Sequence, residues 1–195
     1  MSRRIVIIQA HPDPSAERFC SALAQAYRDG AESAGHVVET LRVAELSFPL
    51  VSSERDWQGD SIPEDIERAQ RAIAAADHLV FVYPIWLGTM PALLKGFLEQ
   101  VMRPGFAFDE KAREGFGERK LKGKSARVIA TMGMPGLAYR LFYRGHGYFW
   151  FKRNVLKFCG IRPVRHSFVG LVAAKEDKRR KRWLKRVREL GQRGI

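Results

Sequence analysis

The sequence predicts an α/β fold in which five parallel strands, in the spatial order 2-1-3-4-5, are covered by helices on both faces. Short apolar runs typical of buried strands alternate along the chain with longer amphipathic segments typical of helices. Because a helix separates each strand from the next, the connections are crossovers, and strands joined by right-handed crossovers run parallel. A chain of 195 residues suits five strands better than six. It contains no internal repeat or linker, so we expect one domain over residues 1–195.

Each element follows from its own residue pattern. Residues 4–10, 79–83 and 126–131 are largely apolar, which predicts strands covered on both faces. Residues 36–43 alternate in polarity, which suits a less buried strand, and residues 164–172 form the fifth strand. Helices are predicted over residues 15–34, 63–76, 90–102, 147–159 and 175–190, with Pro63 in a first turn, where its missing N–H costs little. Residues 104–123 are charged and contain glycine, so we expect a surface loop there.

The charge of the chain is divided unevenly between its two parts. The net charge is +13, but residues 1–118 carry 12 Lys and Arg against 18 Asp and Glu, whereas residues 119–195 carry 22 against 3. Such a basic part indicates an anionic partner, which could be a phosphate-bearing small molecule, nucleic acid or an anionic membrane. The two cysteines, Cys20 and Cys159, lie in predicted helices, which favours a reducing cytoplasm over a disulfide framework.

Ligands of an open parallel sheet bind beyond the carboxyl ends of its strands, which directs attention to three loops. The loop after the first strand, "HPDPSAER", contains Ser15, which we expect to cap the following helix. The exposed N–H groups of such a helix end, together with a hydroxyl, can also hold a phosphate. Ordinary capping and phosphate binding both fit these residues.

The loop after the third strand carries apolar side chains where a polar turn is expected. Pro84, Ile85, Trp86 and Leu87 stand at the end of the strand, with Gly88 behind them. A flat ring laid against this loop would bury the apolar side chains, but core packing or a dimer interface would bury them as well.

The loop after the fourth strand, "TMGMPGLAY", is rich in small and rigid residues. Gly133 lets the backbone approach a ligand closely. Tyr139 and His146 follow, and a tyrosine and a histidine together can donate protons or stabilise charge on a reduced ring. A structural role for the histidine fits the pattern equally.

The segments "IIQAHPDPS", "YPIWLGTMPALLKGF", "PGFAF", "TMGMPGLAY" and "VLKFCGIRPV" together carry a family resemblance. The chain resembles the NAD(P)H:quinone oxidoreductases of flavodoxin-like fold, also called the flavodoxin-2 family. This resemblance implies a flavin, FMN or FAD, bound without a covalent bond, and NAD(P)H as hydride donor. It also implies a homodimer with the pocket near the subunit interface, for which the candidate aromatic residues are Phe106, Phe108, Phe149, Trp150 and Phe151.

The resemblance also assigns roles to individual residues. His11 and Ser15 correspond to contacts with the phosphate or ribityl side of the flavin. Contacts with the ring are implied for Pro84, Ile85, Trp86 and Leu87, and contacts with its pyrimidine edge for Thr131, Gly133 and Met134. Tyr139 corresponds to a tyrosine that stabilises charge during hydride transfer, and His146 to its partner when one additional residue is allowed between them. Glu17 and Arg18 replace the usual Phe-Asn of the family in the first loop.

The function expected from these motifs is transfer of hydride from NAD(P)H through the flavin to a quinone or a similar acceptor. Because both substrates would use one pocket in turn, we expect ping-pong kinetics, and the basic part of the chain slightly favours NADPH. Two alternatives remain: a non-catalytic regulatory subunit of a transport protein, and a basic module associated with nucleic acid. The five histidines show no metal-ligand spacing, so no metal is expected.

The basic segment at residues 175–190 has two interpretations. Trp183, Leu184, Val187 and Leu190 share one helical face, which is typical of a terminal helix packed on a sheet with its basic residues in solvent. The alternative is weak attraction of the basic residues to an anionic membrane, in which hydrophobic quinones dissolve.

Overall fold

The computed structural model describes residues 2–59, 61–109, 117–172 and 177–195. Its five strands are β1 (Arg4–Gln9), β2 (Val37–Arg42), β3 (His78–Pro84), β4 (Ser125–Thr131) and β5 (Val164–Val169). All neighbouring strands pair in parallel and stand in the order β2-β1-β3-β4-β5. The predicted fold class and strand order are therefore confirmed.

The helices lie between these strands, as the crossover connections require. They are α1 (Phe19–Ser33), α2 (Glu54–Gln58), α3 (Glu64–Ala75), α4 (Ala92–Val101), α5 (Gly136–Phe142), α6 (His146–Trp150) and α7 (Asp177–Gln192). A 3₁₀ turn spans Val43–Glu45, and a π-helical turn spans Phe151–Leu156 directly after α6. Among the described residues, none of the helices combines the length and the apolar character needed to cross a bilayer.

Four helical segments differ from the prediction. The first helix begins at Phe19 rather than at residue 15, α2 forms where no element was predicted, and α5 begins within the predicted loop after the fourth strand. The predicted helix at residues 147–159 is divided into α6 and the π-helical turn. Residues 110–116 of the predicted surface loop and residues 175–176 of the last predicted helix lie outside the described residues.

The buried strand β3 separates two cores on the two faces of the sheet. Leu79, Phe81 and Tyr83 point into a core with α3, α4 and the π-helical turn, whereas Val80 and Val82 point into a core with α1 and α7. Successive side chains of a strand face opposite sides, so covering both faces requires the continuous apolar run seen in the sequence.

Helix α7 packs tightly against α1 through two glycines. A Cβ atom added at Gly30 of α1 would lie 2.0 Å from the Arg188 carbonyl oxygen, and one added at Gly191 of α7 would lie 2.1 Å from the Tyr27 carbonyl oxygen. Only glycine permits this approach of the two backbones. The predicted apolar face of α7 is confirmed, because its four residues all pack into the α1 core.

One of the aromatic residues predicted for an interface or pocket is a core residue instead. Phe151 is fully buried, and its ring centroid lies 5.0 Å from that of Phe81. Phe108 is also buried, with its ring centroid 4.9 Å from that of Phe158, but it lines an apolar groove. For Phe151 the prediction is wrong, because the π-helical turn folds onto the sheet.

His78, at the start of β3, makes folding sensitive to acid. Burial lowers the pKa of His78 to about 3, with a further contribution from the positive charge of Arg127. Its ordinary pKa is about 6.5. Between these two pH values His78 is protonated in the unfolded chain but not in the folded chain. The stability that His78 contributes is therefore lost as the pH falls from about 6.5 towards about 3.

We predict that this loss amounts to as much as about 1.4 kcal/mol per pH unit in that range. Urea unfolding of the parent chain and of His78→Gln across the range measures it, because glutamine keeps a polar partner for Ser125 but does not titrate. The variant is expected to show a shallower decline of unfolding free energy with falling pH. Equal slopes for the two proteins would contradict the prediction.

Candidate active site

The loops that follow β1, β3 and β4 meet at the carboxyl edge of the sheet. The Ala10 N–H donates to the Val82 carbonyl at 2.9 Å, and the Ile85 N–H donates to the Thr131 carbonyl at 2.7 Å. The edge of the His11 ring packs on Trp86, with 5.9 Å between the ring centroids. Together the loops enclose a cavity of about 350 Å³, which lies within the usual range for ligand sites.

Six of the predicted site residues line this cavity. They are His11, Pro84, Ile85, Trp86, Thr131 and Gly133. The remaining wall comes from residues to which the sequence assigned no role in the site, namely Glu17, Arg18, Phe19, Cys20, Met132, Val172 and Arg180. Ser15, Leu87, Met134, Tyr139 and His146 are not among the lining residues.

The turn from Trp86 to Thr89 presents apolar side chains to solvent. Trp86 and Thr89 exchange two backbone hydrogen bonds, and the two central residues both have positive φ, 48° at Leu87 and 83° at Gly88. Such a turn suits glycine or asparagine, and a leucine there is strained. The Leu87 side chain is fully exposed and that of Trp86 is 48% exposed. Neither residue therefore owes its place to core packing.

The loop after β1 delays the start of α1. The Asp13 carboxylate accepts hydrogen bonds from the Ser15 N–H at 2.8 Å and from Arg18 Nε at 2.7 Å. These two donors, the Ser15 N–H first, hold the pKa of the Asp13 carboxyl below its usual range. The Ser15 hydroxyl accepts from the Glu17 N–H, so the expectation that Ser15 caps α1 is wrong.

The amino end of α1 opens into the cavity. Phe19 and Cys20 both line it, and as the first residues of the helix their N–H groups have no intrahelical acceptor. The N-cap residue, Arg18, makes no side-chain capping bond. Open donors and the helix dipole both favour an anion at this end of the cavity.

The back of the cavity is neutral and polar. The Cys20 sulfur lies 3.2 Å from the Thr131 hydroxyl, and both residues are buried. Burial raises the pKa of the Cys20 thiol to about 11, so this thiol stays protonated at neutral pH.

Gly133 is not required by the packing of the protein. A Cβ atom added there would meet no atom within 4 Å, and the residue is exposed at the cavity. Met134 is held by the protein instead, because its carbonyl accepts the Leu171 N–H at 3.1 Å. Open space beside the Gly133 backbone is what a closely approaching ligand needs.

Tyr139 is buried behind the Trp86–Thr89 turn rather than in the cavity. Its hydroxyl donates to the Gly88 carbonyl at 3.1 Å and accepts from the Tyr148 N–H at 3.3 Å. Burial raises the pKa of this phenol. His146 is exposed at the start of α6. The catalytic roles predicted for Tyr139 and His146 stay predictions, and in this structure Tyr139 fixes the turn.

Arg180 is the lining residue that lies furthest along the chain from the three loops. It belongs to α7, and its guanidinium carbon lies 4.7 Å from the centroid of the Phe19 ring. The basic run of residues 178–182 was the only sequence signal for it, and that run does not single out one arginine. Among the described residues, no group of three or more His, Cys, Asp or Glu side chains is arranged to hold a metal ion.

A larger apolar groove lies on a different part of the surface. It measures about 550 Å³ and runs between α2, α4 and the π-helical turn. Trp57, Leu98, Phe108, Trp150 and Phe158 contribute its apolar wall. None of the three loops at the carboxyl edge reaches it, so it lacks the open backbone donors of the smaller cavity.

Relief of the strain at Leu87 is expected to stabilise the protein. Asparagine tolerates positive φ better than leucine, so Leu87→Asn should raise the free energy of unfolding by about 1 kcal/mol. Leu50→Asn is a matched control, because Leu50 is also exposed, at 68%, but has no positive φ. Chemical unfolding measures both variants. An equal or smaller stability of Leu87→Asn relative to the parent chain would contradict the strain assigned to this turn.

Comparison with known proteins agrees with this architecture. The flavodoxin-2 family model, described as a flavodoxin-like fold, matches residues 3–191. A Haemophilus influenzae protein named uncharacterized NAD(P)H oxidoreductase is 32% identical over 180 residues, which cover 90% of this chain and 88% of that protein. The ribosyldihydronicotinamide dehydrogenase (quinone) of Pongo abelii is 24% identical over 203 aligned positions, covering 91% of this chain and 86% of that protein.

A solved structure gives the same result for the fold. The NAD(P)H:quinone oxidoreductase from Methanothermobacter marburgensis superposes with a TM-score of 0.81 at 23% identity, covering 98% of this chain and 96% of that chain. The chain therefore belongs to the flavodoxin-2 family of NAD(P)H oxidoreductases, and the family and enzyme class that its motifs predicted are confirmed.

Proposed function

We propose that the protein binds a flavin at the carboxyl edge of the sheet and transfers hydride from NAD(P)H to a quinone or a similar acceptor. The observation that carries this proposal is the exposed Trp86 at the mouth of the cavity, on a turn whose conformation strains Leu87. Strain and exposed apolar surface persist where function requires them. The reaction class is supported by two relatives, the NAD(P)H oxidoreductase of Haemophilus influenzae and the ribosyldihydronicotinamide dehydrogenase (quinone) of Pongo abelii.

The residues of the cavity fit a non-covalent flavin, FMN or FAD. Trp86 and Ile85 offer apolar surface to a flat ring, and the open space at Gly133 lets its polar edge approach the backbone. The donors at the start of α1, with Arg180 packed on Phe19 beside them, suit the phosphate. His11 packs on Trp86 and is proposed to contact the ribityl side, while Ser15 acts indirectly by shaping the loop.

Once bound, a flavin supplies a hydride-accepting nitrogen and stores two electrons. The protein contributes orientation and exclusion of water. The Trp86 side chain and Pro84 form a wall that would hold the ring, and the buried pair of Cys20 and Thr131 closes the back of the cavity without adding charge. Tyr139 holds the Trp86–Thr89 turn through the Gly88 carbonyl.

One cavity serves both substrates in this proposal. NAD(P)H and the acceptor would each enter this cavity beside Trp86, so the first product would leave before the acceptor enters. Leu87 and Met134 stand at the mouth and are proposed to contact whichever substrate is present. His146 lies exposed beyond the mouth and is proposed to meet substrate only from solvent.

The basic second part of the chain supports NADPH over NADH. Residues 119–195 carry 22 Lys and Arg against 3 Asp and Glu, and Arg180 of this part lines the cavity. Positive charge of this kind attracts the second phosphate of NADPH, which NADH lacks.

A homodimer and a cytoplasmic location are further parts of the proposal. The apolar groove between α2 and α4 supports association of two chains, because its apolar wall, which includes the exposed Trp150, would be covered there. The two free cysteines, Cys20 and Cys159, support a reducing compartment.

The first test is the visible spectrum and the steady-state kinetics of the purified protein. We expect the protein to bind FMN or FAD and to oxidise NADPH with a soluble quinone, giving parallel double-reciprocal lines. Trp86→Ala should weaken flavin binding by roughly tenfold, because an aromatic contact is lost with its buried surface. A protein that takes up no flavin refutes the proposal, whereas flavin binding without turnover would favour the regulatory alternative.

The second test concerns the phosphate end of the cavity. Arg180→Gln should weaken binding of FMN by about 1.5–3 kcal/mol, the usual contribution of a charged hydrogen bond, and leave riboflavin binding unchanged. Arg182→Gln, an exposed position on the same helix, is the matched control and should bind both ligands as the parent chain does. Isothermal titration measures all three proteins. If Arg180→Gln weakens the binding of FMN and of riboflavin equally, Arg180 does not contact the phosphate.

A further inference from the structure

Five consecutive exposed residues, Arg140–Arg144, end α5 and begin the link to α6. Their sequence is Arg-Leu-Phe-Tyr-Arg, and the three central side chains are exposed by 63%, 84% and 50%. Leu137, one helical turn before Leu141, is 65% exposed as well. Contiguous apolar surface of this kind is uncommon on a soluble protein and marks an interaction site.

The charged residues that neighbour these side chains in the sequence are all basic. Arg140 and Arg144 flank them, and the exposed Arg153 follows shortly after Phe149, which is itself 49% exposed. The sequence contains no acidic residue between Arg119 and Lys175. We call Leu137, Arg140–Arg144, Phe149 and Arg153 the α5–α6 surface.

We propose that the α5–α6 surface binds an anionic lipid bilayer. Aliphatic and aromatic side chains gain free energy by entering the boundary between headgroups and acyl chains, and arginines gain it from anionic headgroups. Leu141, Phe142 and Tyr143 protrude from a short helix and line none of the cavities described above. Leu137 and Arg140 also border a cavity of about 440 Å³ beside α7, but Leu141, Phe142 and Tyr143 lie outside it, and protruding apolar side chains of this kind suit penetration of a bilayer.

The basic charge argues against a second copy of the chain as the occupant. Two copies meeting through this surface would place arginines of the same kind opposite one another, and like charges brought together oppose association. An anionic bilayer instead pairs with every one of these charges.

Helix α7 is a weaker candidate for the same partner, although it carries more charge. Its apolar residues Trp183, Leu184 and Val187 pack into the α1 core and are not available to enter a bilayer. The weak membrane contact expected from the basic segment of α7 is therefore proposed for the α5–α6 surface instead, where basic and exposed apolar side chains occur together.

The α5–α6 surface is joined to the cavity through the Trp86–Thr89 turn. The Tyr139 hydroxyl of α5 donates to the Gly88 carbonyl, and a Cβ atom added at Gly147 of α6 would lie 2.4 Å from the same oxygen. Docking of the surface therefore places the fully exposed Leu87 and the cavity mouth beside the lipid. If the proposed function holds, on which this step alone depends, the acceptor is a lipophilic quinone dissolved in the bilayer.

Vesicle flotation tests the surface without reference to any redox activity. The parent chain should float with phosphatidylcholine vesicles that contain phosphatidylglycerol, and added salt should weaken the binding. Phe142→Ser should reduce the vesicle partition coefficient by roughly tenfold or more, because burial of one phenylalanine is lost. Leu50→Ser, which changes an exposed leucine outside the surface, is the matched control and should bind as the parent chain does.

Charge variants separate this surface from α7. Arg140→Gln with Arg144→Gln should reduce the partition coefficient by roughly tenfold or more. Arg182→Gln with Lys185→Gln on α7 removes the same charge at exposed positions and should have little effect. Absence of vesicle binding by the folded parent chain overturns the proposal, and so does a larger loss from the α7 pair. Light scattering gives the remaining outcome. If Phe142→Ser dissociates a dimer and the parent chain binds no vesicles, the surface is a chain–chain interface and the membrane proposal is overturned.

Kinetics with two acceptors tests the step that depends on the proposed function. With a water-soluble quinone, Phe142→Ser should oxidise NADPH at the parent rate. With a long-chain quinone held in anionic vesicles, its rate of NADPH oxidation should be roughly tenfold lower than that of the parent chain. Equal rates of the two proteins on the vesicle-bound quinone would refute this step. If neither acceptor is reduced by the parent chain, the proposed function fails, while flotation still decides the membrane contact.

Discussion

The parallel pairing of β1, β3 and β4 is the constraint on which the whole site depends. Parallel strands end at the same edge of a sheet, so the loops that follow them share this edge whatever their own sequences are. Two backbone hydrogen bonds, from Ala10 to Val82 and from Ile85 to Thr131, extend the contact beyond the regular pairing. The position of the cavity is therefore set by the backbone, and its side chains supply only the chemistry.

The same architecture explains how a distant helix contributes to the site. Close contact of α1 and α7 at Gly30 and Gly191 holds the two helices against one face of the sheet. Because α1 begins at the cavity, the helix packed against it also reaches the cavity, and Arg180 meets Phe19 there. The helix thus serves stability through its apolar face and the site through one residue of its basic face.

Exposed apolar side chains are concentrated near the mouth of the cavity. Trp86 and Leu87 stand on one turn, and Phe142 stands at the end of the helix whose Tyr139 fixes that turn. Each is excluded from the two cores, which are completed by other residues. Apolar surface that does not serve folding is available for a cofactor, a substrate or a bilayer, and the basic second part of the chain attracts those of these partners that are anionic.

The residue patterns alone were enough to predict the strands, their order, the family and the loops that form the site. Continuous apolar runs indicate strands that are buried on both faces. The alternation of strand and helix leaves few possible topologies, so local patterns are enough to predict the strands and their order. Trp86 and Gly133 could be assigned to the site in the same way, because they stand at the ends of such strands. The start of α1 at Phe19 is also local in origin, because Asp13 and Ser15 form a turn that competes with the helix. The place of Arg180 in the cavity wall and the exposure of Phe142 could not be predicted in this way, since both depend on contacts between segments far apart in the chain, which no local pattern records.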